Sequence, residues 1–229
     1  MSTVILLAHT PEAEQVVALA IKTCRSSEDL AALRERLTAE KNRDLIKQVI
    51  KLGHFSVLEH AAFTFFIKGV SRACSHQLVR HRIASFAQQS LRHTQVESDD
   101  FYYLPESLTQ NPDLQDKFAD YLGKTREFYK YLLQNGVAAE DARYILPMAT
   151  VSNLVVTMNA RELLHFFSLR TCYKAQEEIR QLAETMLKLV KPQAPAIFAK
   201  AGPPCINGTC PENDLNCPRN PRREKKTLE

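Results

Sequence analysis

The sequence predicts an α/β (α+β) fold: a single domain whose central mixed or antiparallel sheet is flanked by long helices, without a Rossmann-type nucleotide cradle. Three observations carry this. Short runs of β-forming residues alternate with longer segments of helical period. With 45% hydrophobic content, 229 residues can fill a real core. The six glycines (Gly53, Gly69, Gly123, Gly136, Gly202 and Gly208) are so widely spaced that neither G-x-G-x-x-G nor G-x-x-x-x-G-K-[ST] can be written anywhere.

In chain order, Thr3 to Ala8 reads as a short buried strand. Thr10-Pro11-Glu12 follows as a cap with proline at the first helical position, opening a helix to about Thr23. A polar helix is expected near Glu28 to Leu37. Another runs from Lys41 to Leu52, where Leu45, Ile46, Val49, Ile50 and Leu52 recur at helical spacing until Gly53 ends it. Ala61 to Val70 is rich in β-formers and reads as a strand. Ser71 can cap a helix to about His81, and Ser85 to Val96 reads as extended or irregular.

Pro112 to Gln134 is a long helix with Leu114, Phe118, Tyr121, Leu122, Phe128 and Leu132 on its apolar side, stopped by Asn135-Gly136. A short helix from Ala138 to Ile145 ends at Pro147, and Thr150 to Met158 alternates as a strand. Asn159 caps a helix to about Thr171, and Gln176 to Leu189 forms the last long helix. Beyond Lys191 prolines dissolve regular structure. The folded domain is therefore residues 1–200, and residues 201–229 form a basic tail containing cysteine and proline.

The formal charge of +4 is too small for a nucleic-acid-coating protein, yet it is unevenly distributed. Between His60 and Val96 there is no Asp or Glu, while Lys68, Arg72, Arg80, Arg82 and Arg92 give +5. Residues 218–229 carry +3, which leaves the remainder at −4. Four of the seven histidines, His60, His76, His81 and His93, also fall in the acid-free stretch, which marks it as the candidate anion site.

The N-terminus has no basic leader region, its apolar run is too short for a signal peptide, and no run approaches the ~20 residues of a membrane span. A cytoplasmic protein with reduced thiols is expected, and Cys24, Cys74 and Cys172 read as ordinary core or helix cysteines. Cys205, Cys210 and Cys217 stand apart as C-x4-C-x6-C in a Pro/Asn-rich segment. That spacing fits no zinc module well, and a structural zinc site needs four ligands, the fourth coming from another chain or from elsewhere in the fold. The adopted reading is a thiol-bearing tail without essential chemistry, and no metal is expected.

The run Arg80-His81-Arg82-Ile83-Ala84-Ser85-Phe86-Ala87-Gln88-Gln89-Ser90-Leu91-Arg92 combines guanidinium forks with hydroxyl and amide donors, the groups that phosphate and uracil-type edges require. On the helix from Ser71, Gln77, Arg80 and His81 would share a polar face. On the helix from Asn159, Arg161 and His165 are four apart and share a face. Arg170 falls about 180° from Arg161 at the helical period, on the side of Leu163, Phe166 and Phe167. That placement leaves two readings of Arg170 open, a partner for the C-terminal end of the helix dipole or a ligand group on a second face.

The run from Arg80 to Ser90 resembles the R-H-R-x7-S signature of the flavin-dependent thymidylate synthases. The resemblance extends from about Thr3 to Ile197. It includes His54-Phe-Ser-Val-Leu-Glu-His60, Ala142-Arg143-Tyr-Ile-Leu-Pro147, and Asn159-Ala-Arg-Glu-Leu-Leu-His165 continuing to Arg170. It implies a Thy1-like fold and a homotetramer with inter-subunit active sites. It also implies methylation of dUMP to dTMP, with 5,10-methylenetetrahydrofolate as carbon donor and NADPH as reductant through FAD.

By the same resemblance, Ser56, Arg80, His81, Arg82, Gln88, Asn159, Arg161 and His165 would line FAD. Gln77, Arg80, Gln88, Gln89, Ser90, Arg92, Arg143 and Arg170 would line dUMP, with Arg170 as the catalytic cation that favours ionised N3 of the uracil ring. Ser90 has no base within its motif and suits positioning rather than nucleophilic attack. Ala87-Gln88 departs from the Asn-Glu pair of many members, replacing a carboxylate by a neutral amide. The competing class is a basic nucleic-acid-binding module using nearby Phe and Tyr for stacking; no G-x-x-G or RRM-type signature supports it.

Overall fold

The computed structural model describes residues 2–96, 98, 100–208, 210–214 and 216–219. Arg222, Arg223, Lys225 and Lys226, which supply most of the tail's positive charge, lie outside the described residues. Strands β1 (Thr3–His9), β2 (Ala62–Ser71), β3 (Ala84–Gln88) and β4 (Val151–Asn159) form one antiparallel sheet in the order β1-β2-β4-β3. Helices α1 (Ala13–Thr23), α2 (Leu30–Arg36) and α3 (Ala39–Lys51) separate the first two strands. Helix α4 (Arg72–Leu78) follows β2; α5 (Glu106–Thr109), α6 (Pro112–Gln134) and α7 (Ala139–Ala142) lie between β3 and β4. Helices α8 (Ala160–Arg170) and α9 (Glu177–Val190) come last. No helix among the described residues is long and apolar enough to cross a membrane.

The described residues fall into two compact units, one within Met1–Thr3, Phe66–Arg80 and Phe86–Val155, the other within Val4–Phe65, His81–Ser85 and Val156–Glu229. In the first, α6 packs Leu122 and Tyr129 with Val96, Phe101 and Ala142, and Phe118 and Leu132 pack against that cluster. In the second, Phe63 meets Phe198 edge-on at 5.4 Å, Phe198 meets Phe167 at 6.0 Å, and Val17, Ile46, Phe166 and Met186 are fully buried. Each such side chain removes apolar area worth ~1.5–3 kcal/mol from water.

Several helix ends follow sequence chemistry. Asn111 accepts from Leu114 N at 3.3 Å to open α6, with Pro112 in its first turn, and Gly136 beyond its end takes φ 81°. Ser71 caps α4 through Cys74 N at 3.0 Å, and Asn159 caps α8 through Glu162 N at 2.9 Å.

Other expectations are corrected. β1 is a strand but not a buried one: it lies at the sheet edge, and Ile5 and Leu7 are about half exposed. Thr10 does not cap α1, because its hydroxyl accepts from Ala62 N at 2.9 Å; the helix begins at Ala13 behind Glu12, which holds φ 47°. On α6 the buried stripe runs through Phe118, Leu122, Tyr129 and Leu132, so Leu114, Tyr121 and Phe128 point to solvent. Cys24, read as a core or helix cysteine, stands exposed at the end of α1.

Candidate active site

Two polar constellations emerge, one in each unit. In the first, β3 ends at Gln88 and the chain turns at Ser90, whose backbone carbonyl accepts from His93 N at 3.1 Å and Thr94 N at 2.9 Å. Gln89 is fixed on β4: its N–H donates to Asn153 O at 2.8 Å and its side-chain oxygen accepts from Asn153 N at 3.1 Å. Gln88 Nε2 donates to Ser152 Oγ at 2.7 Å. These anchors present Gln88, Gln89 and Ser90 along one wall of a 630 Å³ cavity.

Opposite walls come from α4 and from the turn after α7, which contribute Arg72, His76, Arg143, Tyr144 and Met148. Arg143 is held by Nε donating to Glu140 O at 3.0 Å, and the Arg92 guanidinium pairs with the Glu140 carboxylate. Arg72 reaches His76 Nε2 at 3.5 Å. Two guanidiniums, an imidazole, two hydroxyls and two amides, with no carboxylate among the lining residues, make this cavity suited to a phosphorylated, hydrogen-bonding ligand.

The expected dUMP set is thus brought together in part. Gln88, Gln89, Ser90 and Arg143 line the cavity, whereas Gln77, Arg80, Arg92 and Arg170 do not. Helix α4 stops at Leu78, so Gln77, Arg80 and His81 do not share a helical face: Gln77 Nε2 returns to Ala73 O at 3.4 Å, Arg80 is exposed, and His81 is buried. Arg72 and His76 line the cavity without having been assigned a ligand from sequence. The available signal was the Ser71 cap, which places both on the first turns of α4.

The second constellation centres on His81. Its Nδ1 lies 3.0 Å from Glu162 Oε1, and Arg170 Nε donates to its Nε2 at 3.1 Å. A guanidinium can only donate, so Nε2 is the acceptor and the ring proton sits on Nδ1, directed at Glu162. Phe166 meets the ring edge-on at 4.9 Å and His165 lies 5.6 Å away. Burial, chiefly, and then the Arg170 charge lower the His81 pKa, against the raising effect of Glu162. Neutral imidazole is therefore the working state at pH 7.

His165 and Arg170, expected on two separate faces of α8, both converge on His81. Arg161 does stand apart, paired with Glu59 at 2.6 Å beside the exposed Ser56 of the 3₁₀ turn Phe55–His60. Arg82 is exposed, and the Asn159 side chain is engaged as the α8 cap. Glu162 had no role from sequence. Asn159-Ala-Arg-Glu162 has the spacing of a capping box, whose acid bonds back to its own cap; here it turns to His81 instead.

Residues 5–196 match the family described as "Thymidylate synthase complementing protein". The chain is 49% identical to the flavin-dependent thymidylate synthase of Geobacter sulfurreducens, covering 93% of this chain and 92% of that one. It is 42% identical to the enzyme of the same name from Nitratidesulfovibrio vulgaris, over 96% and 95%. Among solved structures it resembles a UMP/dUMP methylase from Streptomyces cacaoi bound with 5-Br dUMP. The TM-score there is 0.77 at 28% identity, covering 87% of this chain and 94% of that one.

Proposed function

We propose, on the premise that this chain belongs to the thymidylate synthase complementing protein family of flavin-dependent thymidylate synthases, that it methylates dUMP to dTMP. Methylenetetrahydrofolate would be the carbon donor, NADPH the reductant and FAD the cofactor. The observation that carries the reading is the cavity joining Gln88, Gln89, Ser90, Arg72 and Arg143, since a nucleoside monophosphate needs both fixed cations and base-edge hydrogen bonds. Arg143 and Arg72 would neutralise the phosphate; Ser90, Gln88 and Gln89 would orient the nucleotide.

Flavin phosphates need donors, and a chain this poor in glycine must supply them from side chains. The second unit fits that need. Ser56, Arg82 and Arg161 are exposed, and a solvent-facing pair such as Arg161–Glu59 is worth only ~0–1 kcal/mol, so the guanidinium can turn to a diphosphate. When bound, the flavin supplies the hydride that reduces the transferred carbon. The protein's part is placement. Arg170, steadied by neutral His81, would hold a permanent positive charge toward the uracil N3, where negative charge develops.

Assembly into a homotetramer with sites shared between subunits belongs to the same proposal. Supporting it, Leu114, Tyr121 and Phe128 stand seven residues apart on α6 at 45%, 69% and 51% exposure, an apolar stripe suited to another subunit. The cytoplasm, where nucleotide, folate and NADPH occur together, is the proposed location. Absorbance tests the cofactor assignment: purified protein takes up FAD and turns yellow, whereas protein that stays colourless after incubation with FAD contradicts it.

A further inference from the structure

We propose that Cys172, Cys205, Cys210 and Cys217 together bind one structural zinc ion, the fourth ligand coming from the segment after α8 rather than from the tail. The family match ends at residue 196, before the three tail cysteines. Among the described residues of 204–219, only Cys205, Cys210, Asp214 and Cys217 are partly shielded from solvent, and Ile206 is 59% exposed. The described apolar side chains of this segment, Pro204, Ile206, Pro211 and Pro218, are all exposed. Fixing each residue costs ~1–2 kcal/mol of backbone entropy, so an ordered tail needs a cross-link.

The tail is nevertheless docked, and its docking point is the stretch that carries Cys172. Lys174 Nζ pairs with Asp214 at 2.8 Å, and Arg219 donates to Thr171 O at 2.7 Å while its guanidinium lies 5.0 Å over the Tyr173 ring. Ile206 presses on Gly202 so closely that a Cβ there would stand 2.2 Å from its Cδ1. Cys205 lies within electrostatic reach of Cys210, Cys172 and Cys217 alike. Lys174 in turn feels Cys217.

Three thiols cannot close a structural zinc site, and four can. A tetrathiolate site carries net negative charge, which Lys174 and Arg219 are placed to balance. All four thiols are free, and their sulfurs are not yet at ligand spacing; among the described residues His81, Glu162 and His165 form the group that has it. Zinc would draw the four sulfurs together. Binding exchanges four S–H bonds for four Zn–S bonds and releases the protons to buffer without any redox change.

The test uses the full-length chain, stripped with EDTA, supplied with zinc chloride and desalted, with metal counted by mass spectrometry. About one zinc per chain is expected, lost in Cys172→Ser and in Cys217→Ser and kept in Cys24→Ser. Cobalt in place of zinc should give the intense near-ultraviolet thiolate band. Because a serine variant can unfold, the wild-type chain supplies a second readout: zinc should protect these four thiols, but not Cys24, from iodoacetamide. No retained zinc, zinc retained in Cys172→Ser, equal labelling with and without zinc, or cobalt bound without a thiolate band would each overturn the assignment.

Discussion

Arg170 donates its Nε–H to the Nε2 of buried His81 at 3.1 Å, a bond that forms only while the imidazole is neutral at that nitrogen. The proton therefore resides on Nδ1 against Glu162, and Glu162 sets the aim of Arg170 through the ring. Arg170→Ala should keep bound flavin and lose most dUMP-dependent turnover. It should also raise the His81 pKa, since the Arg170 charge is one of the causes lowering it. An NMR titration of His81 with no upward shift would contradict the pairing.

Glu162→Ala removes the acceptor that fixes the His81 tautomer, and kcat/KM for dUMP should fall by about 10- to 1000-fold, as expected when an orienting carboxylate behind a histidine is lost. Glu162→Gln, which still offers an oxygen to Nδ1, should recover a large part of it. A pH–rate profile separates this from damage to folding: only a positioning role moves its acidic limb. Equal activity of the alanine variant and the wild type would contradict the role.

His81 also ties stability to pH. Its folded pKa is lowered, so as pH falls below its ordinary value of 6.5 the unfolded chain takes up the proton first. This contribution is complete above pH 6.5 and is lost as pH falls toward the folded value. His81→Asn, which keeps an N–H toward Glu162, should flatten the decline in Tm between pH 7 and 5. An unchanged slope by differential scanning fluorimetry contradicts it.

Arg143→Ala and Arg72→Ala should each raise KM for dUMP by ~10-fold or more while leaving FAD uptake intact, because a charge-assisted hydrogen bond to phosphate contributes ~1.5–3 kcal/mol. Unchanged KM in both variants would remove the phosphate from this cavity.

The α6 stripe gives the assembly prediction. Tyr121→Lys with Phe128→Glu should shift the molar mass measured by light scattering from four chains to fewer. The monomer core stays intact, because neither side chain is buried. Retention of the four-chain mass would exclude this face as a contact.

Local chemistry was readable where one residue decides the outcome. The bounds of α6 follow from Pro112 and the Asn135-Gly136 stop, and α8 starts where Asn159 caps it. Legibility failed where a distant partner competes: Thr10 left its helix for Ala62, and Glu162 left its cap for His81. On α6, hydrophobicity alone could not tell the inward Tyr129 from the outward Tyr121, since that depends on which stripe meets Val96 and Phe101. In the site, Gln88, Gln89, Ser90 and Arg143 were legible from motif residues. Arg72 and His76 were not, because their relevance arises only when α4 and the turn after α7 line one cavity.

Product analysis tests the central claim most directly. Purified chain incubated with dUMP, methylenetetrahydrofolate, FAD and NADPH should form dTMP in step with NADPH consumption, and omission of dUMP should slow that consumption. Absence of dTMP by chromatography, with NADPH oxidation indifferent to dUMP, would contradict the proposed chemistry.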